Sequence, residues 1–119
     1  MAFSKHHPGD LESSQASHRA GAFVVTFFGV RGSIATPGPE TVEVGGNTSC
    51  VEIQCGDRHL VFDTGTGMRL LGQRLLRERK RVKLSVFYSH MHWDHIQGLP
   101  FFTPLYMPGT ELSFHGPKG

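Results

Sequence analysis

The sequence predicts an α/β domain. Two observations support this: short runs of β-branched and aromatic residues recur along the chain, and an amphipathic helical pattern lies between two of them. Hydrophobic residues make up 38% and charged residues 18% of the 119 positions, which is typical of a globular protein. The length allows one domain or part of one.

The first part of the chain divides into a tail, a strand and a long connection. Segment 1–21 is polar and lacks apolar periodicity, which predicts a disordered tail, so a partial domain is expected over 22–119. Phe23–Phe28 is predicted to be a buried strand. The connection Gly29–Asn47 is rich in Gly and Pro, and connections of that length are usually functional or disordered.

A β-hairpin is predicted next. Val51–Cys55 alternates apolar and polar residues, Gly56–Asp57 is a hairpin-type turn, and His59–Phe62 resumes the apolar run. These features predict two adjacent antiparallel strands.

An amphipathic helix is expected from about Thr66 to Lys80, followed by a strand at Leu84–Tyr88. Gly72 falls on the apolar face of this helix, which predicts a close approach to a sheet. Between Arg69 and Lys83 there are seven basic residues and one acidic residue. Cations near a helix C-terminus suit its dipole, so this stretch is interpreted as a solvated helix face, and nucleic-acid contact there is the less favoured interpretation.

Composition and charge exclude several classes of protein. The formal net charge is only +2, with 12 basic and 10 acidic residues, which does not indicate a nucleic-acid-binding protein. No run of 18 apolar residues is present, and the N-terminal segment lacks the apolar core of a signal peptide. A cytoplasmic protein without a membrane segment is therefore expected.

Three histidines and an aspartate are concentrated within six residues that directly follow the strand Leu84–Tyr88. They are His90, His92, Asp94 and His95. Imidazole and carboxylate are ligands that suit zinc and similar ions. A structural zinc site is disfavoured because the cluster contains no cysteine. The alternative is a helix start in which Asp94 is a cap and the histidines have no metal.

The His-x-His-x-Asp-His pattern after a hydrophobic strand resembles the metallo-β-lactamase-fold hydrolase superfamily. Phe62–Gly67, an amphipathic helix and a strand precede the motif in the order of the first half of that superfamily. Three further segments resemble its branch of phosphodiesterases and tRNA 3′-processing ribonucleases: Gly29–Ser33, Gly45–Cys50 and Ser113–Pro117. The resemblance implies the N-terminal half of an αβ/βα sandwich, a mixed sheet with packed helices.

The resemblance also implies roles for individual residues. His90 and His92 would bind one metal ion, and Asp94 and His95 a second, with zinc favoured over manganese. A bridging water would act as the nucleophile, and Asp94 could accept its proton.

Other residues have two interpretations each. Asp63 would support the ligands through hydrogen bonds, or be a turn residue before the helix. Polar groups of the Gly-rich loops would contact substrate, or would serve the structure of the loops. These loop residues are Arg31, Ser33, Asn47 and Thr48.

The sequence departs from the family in its length. The second half of the sandwich, with its further metal ligands, has no counterpart in 119 residues, so the domain is interpreted as truncated. A homodimer or a second chain could complete it. The expected function is metal-dependent hydrolysis, of phosphodiesters when the domain is complete. The alternatives are hydrolysis of a small-molecule lactam, thioester or lactone, and an inactive metal-binding or interaction fragment.

Overall fold

The computed structural model describes residues 22–118. The predicted disordered tail 1–21 lies outside the described residues, so that interpretation and the domain boundary at 22 stay predictions. The described chain forms a five-stranded mixed sheet in the order β1-β2-β3-β4-β5. The strands are β1 (Phe23–Gly29), β2 (Cys50–Cys55), β3 (Arg58–Phe62), β4 (Lys83–Phe87) and β5 (Glu111–His115).

The helical elements connect the parallel strands along the sequence. Helix α1 (Met68–Glu78) connects β3 to β4. The short helix α2 (Trp93–Ile96) and two 3₁₀ turns, Leu99–Phe101 and Thr103–Tyr106, connect β4 to β5. The predicted α/β class, the strands and the helix are confirmed, with the helix ends shifted inward by two residues each. The prediction that the first strand is buried is wrong: Phe23 and Val25 are 67% and 42% exposed, because β1 is an edge strand and elements within 22–118 leave that face of it uncovered.

The strand directions bring several loops to one edge of the sheet. β1–β2 and β2–β3 are antiparallel, whereas β3–β4 and β4–β5 are parallel. β1, β3, β4 and β5 therefore end at the same edge. The long connection after β1, the turn after β3 and the histidine motif after β4 all start there.

The hairpin forms as predicted. Val51 pairs with Phe62 and Cys55 with Arg58, and Gly56 in the turn has a φ of 59°. A left-handed residue in a two-residue turn matches the twist of the flanking strands, and glycine adopts it without a steric penalty.

The apolar core lies between the sheet and the helical elements. Val61 and Val86 from the sheet and Met68 and Leu71 from α1 are fully buried with Phe102. The prediction that Gly72 approaches the sheet is wrong. A Cβ on Gly72 would lie 3.0 Å from Phe102 Cδ2 and 3.1 Å from Pro104 Cδ, so the glycine admits the 3₁₀ segment, which lies against α1.

A buried ion pair also joins α1 to the sheet. Glu52 is 1% exposed, and Arg74 donates to both of its carboxylate oxygens at 2.6 Å. His59 Nδ1 lies 3.0 Å from Glu52 Oε1. Burial alone would raise the pKa of Glu52, but the contacts with His59 and the charge of Arg74 outweigh it and lower that pKa.

The opposite face of the sheet carries a row of one residue from each strand, apolar in β1 to β4 and a histidine in β5. Phe27, Val51, Phe62, Phe87 and His115 are register partners. The rings of Phe62 and Phe87 stack at 5.5 Å, and those of Phe87 and His115 at 4.6 Å. Phe62 remains 38% exposed, so elements within 22–118 leave this face open.

Candidate metal centre

Asp63 lies at the centre of the hydrogen bonds at this sheet edge. It directly follows β3, is 5% exposed and has a φ of 62°, and its N–H donates to Phe87 O at 2.9 Å. Asp63 Oδ1 accepts the Ser89 N–H at 2.9 Å, and Oδ2 accepts the Ser89 hydroxyl at 2.7 Å. His95 Nδ1 lies 2.8 Å from the same Oδ2.

The contact with Asp63 assigns the tautomer of His95. A carboxylate only accepts hydrogen bonds, and Nδ1 is nearer to Asp63 Oδ2, at 2.8 Å, than Nε2 is to Asp94 Oδ2, at 3.3 Å, so the ring proton is assigned to Nδ1. In the neutral ring, Nε2 then carries the lone pair, and it faces Asp94 Oδ2 on the side away from Asp63. Of the two sequence-based interpretations, the geometry places Asp63 against a predicted ligand, as a supporting residue would be.

Sequence reasoning missed Ser89, which precedes the motif. Its hydroxyl also lies 3.0 Å from His90 Nδ1, so one side chain contacts both Asp63 and a predicted ligand. A polar residue between a buried strand and a histidine motif was the available signal.

The imidazole rings of the motif lie close together. The ring centroids of His90 and His92 are 4.5 Å apart, and those of His90 and His95 are 4.1 Å apart. The motif therefore brings its three imidazole rings into one cluster at this edge of the sheet.

Asp94 lies on α2 and is 8% exposed. Its Oδ2 accepts the Ser33 N–H at 3.0 Å and lies 3.3 Å from His95 Nε2. Burial alone would raise the pKa of Asp94, but hydrogen bonds from the Ser33 amide and its own backbone, with His95 and His92 nearby, lower that pKa. The side chain is therefore ionised at neutral pH.

Backbone hydrogen bonds hold the histidine motif against the turn after β3. The Thr64 N–H donates to His95 O at 2.7 Å, and the Gly98 N–H donates to Thr64 O at 2.8 Å. A Cβ on Gly98 would lie 1.9 Å from Gly65 O, so a glycine is needed where the two segments meet. Tyr88 adds a hydroxyl contact to Thr64 Oγ1 at 2.9 Å.

The four predicted loop residues fall into two groups. Thr48 is fully buried, its N–H donates to Thr66 Oγ1, and its Oγ1 accepts the Thr66 N–H, both at 2.8 Å. Asn47 Oδ1 accepts the Thr66 hydroxyl at 3.0 Å. These contacts hold the loop to the turn after β3. Arg31 and Ser33 lie exposed on the same loop.

The donor atoms of the predicted ligands are of the types that divalent metals accept, but the predicted ligands do not converge on one point. Within residues 22–118, no three His, Cys, Asp or Glu side chains form a group that could hold a metal ion. The predicted assignment asks for two residues per ion, His90 with His92 and Asp94 with His95, and these side chains supply the nitrogen and oxygen donors that zinc accepts.

A family model described as the metallo-beta-lactamase superfamily matches residues 44–111, more than half of the chain. The chain belongs to this superfamily. The match includes Asp63 and the whole histidine motif, and it confirms the resemblance found in the sequence. Members of the superfamily are hydrolases that typically bind divalent metal ions.

Two solved structures are similar to this metallo-beta-lactamase superfamily chain. The short form of human tRNase Z is 22% identical with a TM-score of 0.46, covering 80% of this chain and 46% of its own. A diphosphatase from the PhnP family is 19% identical with a TM-score of 0.49, covering 81% of this chain and 51% of its own. The chain spans about half the length of these structures. No curated protein sequence matches it significantly.

The helices of the described residues were also compared with the requirements of a membrane-spanning segment. Among them, no helix combines the length and the apolar character that crossing a membrane requires.

Proposed function

We propose that this chain is the N-terminal half of a metal-dependent phosphodiester hydrolase. His90 and His92 would hold one divalent ion, and Asp94 and His95 a second. The single observation that carries the proposal is the Asp63–His95 contact, because it fixes the ring with Nε2 available as a donor. Orientation of a ligand histidine by a carboxylate is a recurrent property of metal sites.

Divalent ions bound here would activate water for attack and stabilise the charge that develops on the substrate. The chain's own residues have separable roles in this proposal. Asp63 and Ser89 orient the histidines. Asp94 is ionised and held by Ser33, and it would accept a proton from the attacking water.

The phosphodiester substrate class is proposed from the loops, which resemble the phosphodiesterase and tRNA-processing branch. Arg31 is exposed on the loop that reaches Asp94. No carboxylate among the described residues forms an ion pair with it. A guanidinium group in this position suits a phosphate. The alternative within the same chemistry is a lactam, thioester or lactone, which would not require Arg31.

The basic stretch between Arg69 and Lys83 is not part of this proposal. Arg74 pairs with Glu52, and both Arg81 and Lys83 pair with Glu111. These contacts support a structural and solvated role, so nucleic-acid contact there remains the less favoured hypothesis. The proposed metal is zinc, with manganese as the alternative, and the proposed location is the cytoplasm.

The open apolar face supports the proposal that a second unit completes the domain. Phe62 and Val25 are 38% and 42% exposed on this face. A second copy of the chain, or a chain with the rest of the sandwich, would cover them. In the competing hypothesis the chain is an inactive fragment that binds metal or a partner.

Turnover of bis(p-nitrophenyl) phosphate tests the proposed function. We expect zinc-dependent hydrolysis by the completed assembly, loss of activity with a chelator, and loss in Asp94→Ala. Asp57→Ala is the matched control because Asp57 is an exposed carboxylate in the hairpin turn. Activity that survives in Asp94→Ala would contradict the proposed role. No turnover in any assembly state would favour the fragment hypothesis.

Comparing Arg31→Ala on a phosphodiester and on a thioester then separates the two substrate classes. Loss confined to the phosphodiester supports the proposal. Equal loss on both, or no loss, contradicts the role of Arg31 in phosphate recognition.

A further inference from the structure

Ser33 has an unusual backbone conformation beside the candidate metal centre. Its φ is 68°, in the left-handed region that non-glycine residues rarely adopt, although its side chain is exposed and unconstrained by a core. Such conformations persist when surrounding structure enforces them, and they are concentrated at functional sites. The Ser33 N–H donates to Asp94 Oδ2 at 3.0 Å, across 61 positions in the sequence.

Backbone hydrogen bonds clamp the loop on both sides of Ser33. The Arg31 N–H donates to Asn47 O, and the Thr36 N–H donates to Gly46 O, both at 2.9 Å. A Cβ on Gly46 would lie 2.3 Å from Thr36 O, so the two segments approach closely there. The position of Ser33 is therefore set by its neighbours and not by its own side chain.

The partner segment of this clamp is fixed to the histidine motif in turn. The Gly65 N–H donates to Ser49 O at 2.8 Å, and Thr48 and Thr66 exchange two hydrogen bonds. The same turn binds His95 O through the Thr64 N–H at 2.7 Å. The loop that carries Ser33 and the helix that carries Asp94 are thus both held to the turn after β3 by hydrogen bonds.

We infer that Ser33 is a positioning residue for Asp94, and that its backbone N–H, not its hydroxyl, performs this role. The amide holds Oδ2, the oxygen that also lies 3.3 Å from His95 Nε2, and so fixes the rotation of the carboxylate. The consequence for metal binding rests on the proposed function, whereas the hydrogen bond itself does not.

This inference differs from the sequence-based interpretation, in which Ser33 contacts substrate through its side chain. If the amide matters, residues that tolerate a positive φ can replace serine. Glycine and asparagine adopt this conformation readily, whereas β-branched valine does so at a high cost. If instead the hydroxyl performed this role, Ser33→Gly and Ser33→Val would weaken metal binding equally.

Amide hydrogen exchange in the metal-free full chain tests the contact directly. We expect the Ser33 amide to exchange at least about tenfold faster in Asp94→Ala, the factor expected when a hydrogen bond to a charged group is lost. The Thr36 amide is the control in the same loop, because its acceptor is Gly46 O, and its exchange should not change. Asp94→Asn retains an acceptor oxygen and should show a smaller increase.

Cobalt binding by three variants at position 33 tests whether the positioning of Asp94 affects metal binding. Ser33→Gly and Ser33→Asn should keep the wild-type affinity within about twofold. Ser33→Val should weaken it about tenfold or more, as is typical when a residue supporting a ligand is lost. Thermal unfolding without metal shows whether each variant is folded.

Two results would overturn the inference: an unchanged Ser33 exchange rate in Asp94→Ala, or equal losses of cobalt affinity in Ser33→Gly and Ser33→Val. If wild type binds no cobalt, the proposed function fails. The exchange experiment still decides the positioning role in that case, so the two failures are distinguishable.

Discussion

Replacing Asp63 by asparagine should reverse the tautomer of His95. The carboxylate now accepts from His95 Nδ1 at 2.8 Å through Oδ2. In Asp63→Asn the amide group can donate to Nδ1 at that position, which moves the ring proton to Nε2. Nε2 is the atom that the proposed site uses as a metal donor, so the variant should bind metal poorly while its backbone is preserved.

The magnitude follows from the contacts of Asp63. Asparagine tolerates the φ of 62° and can still accept the Ser89 N–H, so most of the local structure should remain. The charge-assisted bonds to the Ser89 hydroxyl and to His95 are weakened. A hydrogen bond to a charged group contributes about 1.5–3 kcal/mol, so we expect the free energy of unfolding to fall by about 2 kcal/mol. Loss of a carboxylate that orients a ligand should weaken metal affinity about 10–100-fold.

Nitrogen-15 NMR of the imidazole rings measures the tautomer, and a cobalt titration measures the affinity. Asp57→Asn is the matched control, since it makes the same change in an exposed turn. Affinity within about twofold of wild type in Asp63→Asn, or a His95 ring that keeps its proton on Nδ1, would contradict the orientation of His95 by Asp63.

Two further predictions concern stability. The lowered pKa of Glu52 means that its contribution to stability is present above the unfolded value of 4.5 and is lost as pH falls through the folded value. Urea unfolding at several pH values between neutral and acidic should show this loss in the free energy of unfolding. Glu52→Gln should make that free energy depend less on pH. The same pH dependence in wild type and in Glu52→Gln would contradict the contribution of Glu52. Gly98→Ala should lower the free energy of unfolding by about 1–3 kcal/mol or prevent folding, because the new Cβ would lie 1.9 Å from Gly65 O. A melting temperature equal to that of wild type would exclude this close approach.

Local patterns predicted the parts of the fold that depend on neighbouring residues. Alternation and a Gly-Asp turn predicted the hairpin between β2 and β3, and the spacing of apolar residues predicted α1 to within two residues at each end. The histidines of the motif were also predictable as a cluster, because residues within six positions cannot be far apart. The alternation of apolar and polar residues in β2, in contrast, does not show which face of the strand α1 covers. Glu52 is buried under α1 because Arg74 neutralises it there.

Contacts across long sequence distances could not be predicted in this way. Nothing local indicates that Ser33 reaches Asp94, because that contact depends on a clamp between two Gly-rich segments. The interior position of Thr48 depends on Thr66 in the same manner. The expectation for Gly72 was wrong because the helical pattern indicates a close approach without identifying the element that approaches.

Zinc content per chain, measured by plasma mass spectrometry on a single size-exclusion peak, tests the proposed metal centre. We expect bound zinc that is lost in a His92→Ala/Asp94→Ala double variant. We also expect zinc to be kept in a His6→Ala/His7→Ala double variant, which removes two histidines of segment 1–21, outside the motif. Two ions per chain should accompany an assembly larger than a monomer. Zinc that persists in the first variant or disappears in the second would contradict a metal centre at this edge of the sheet.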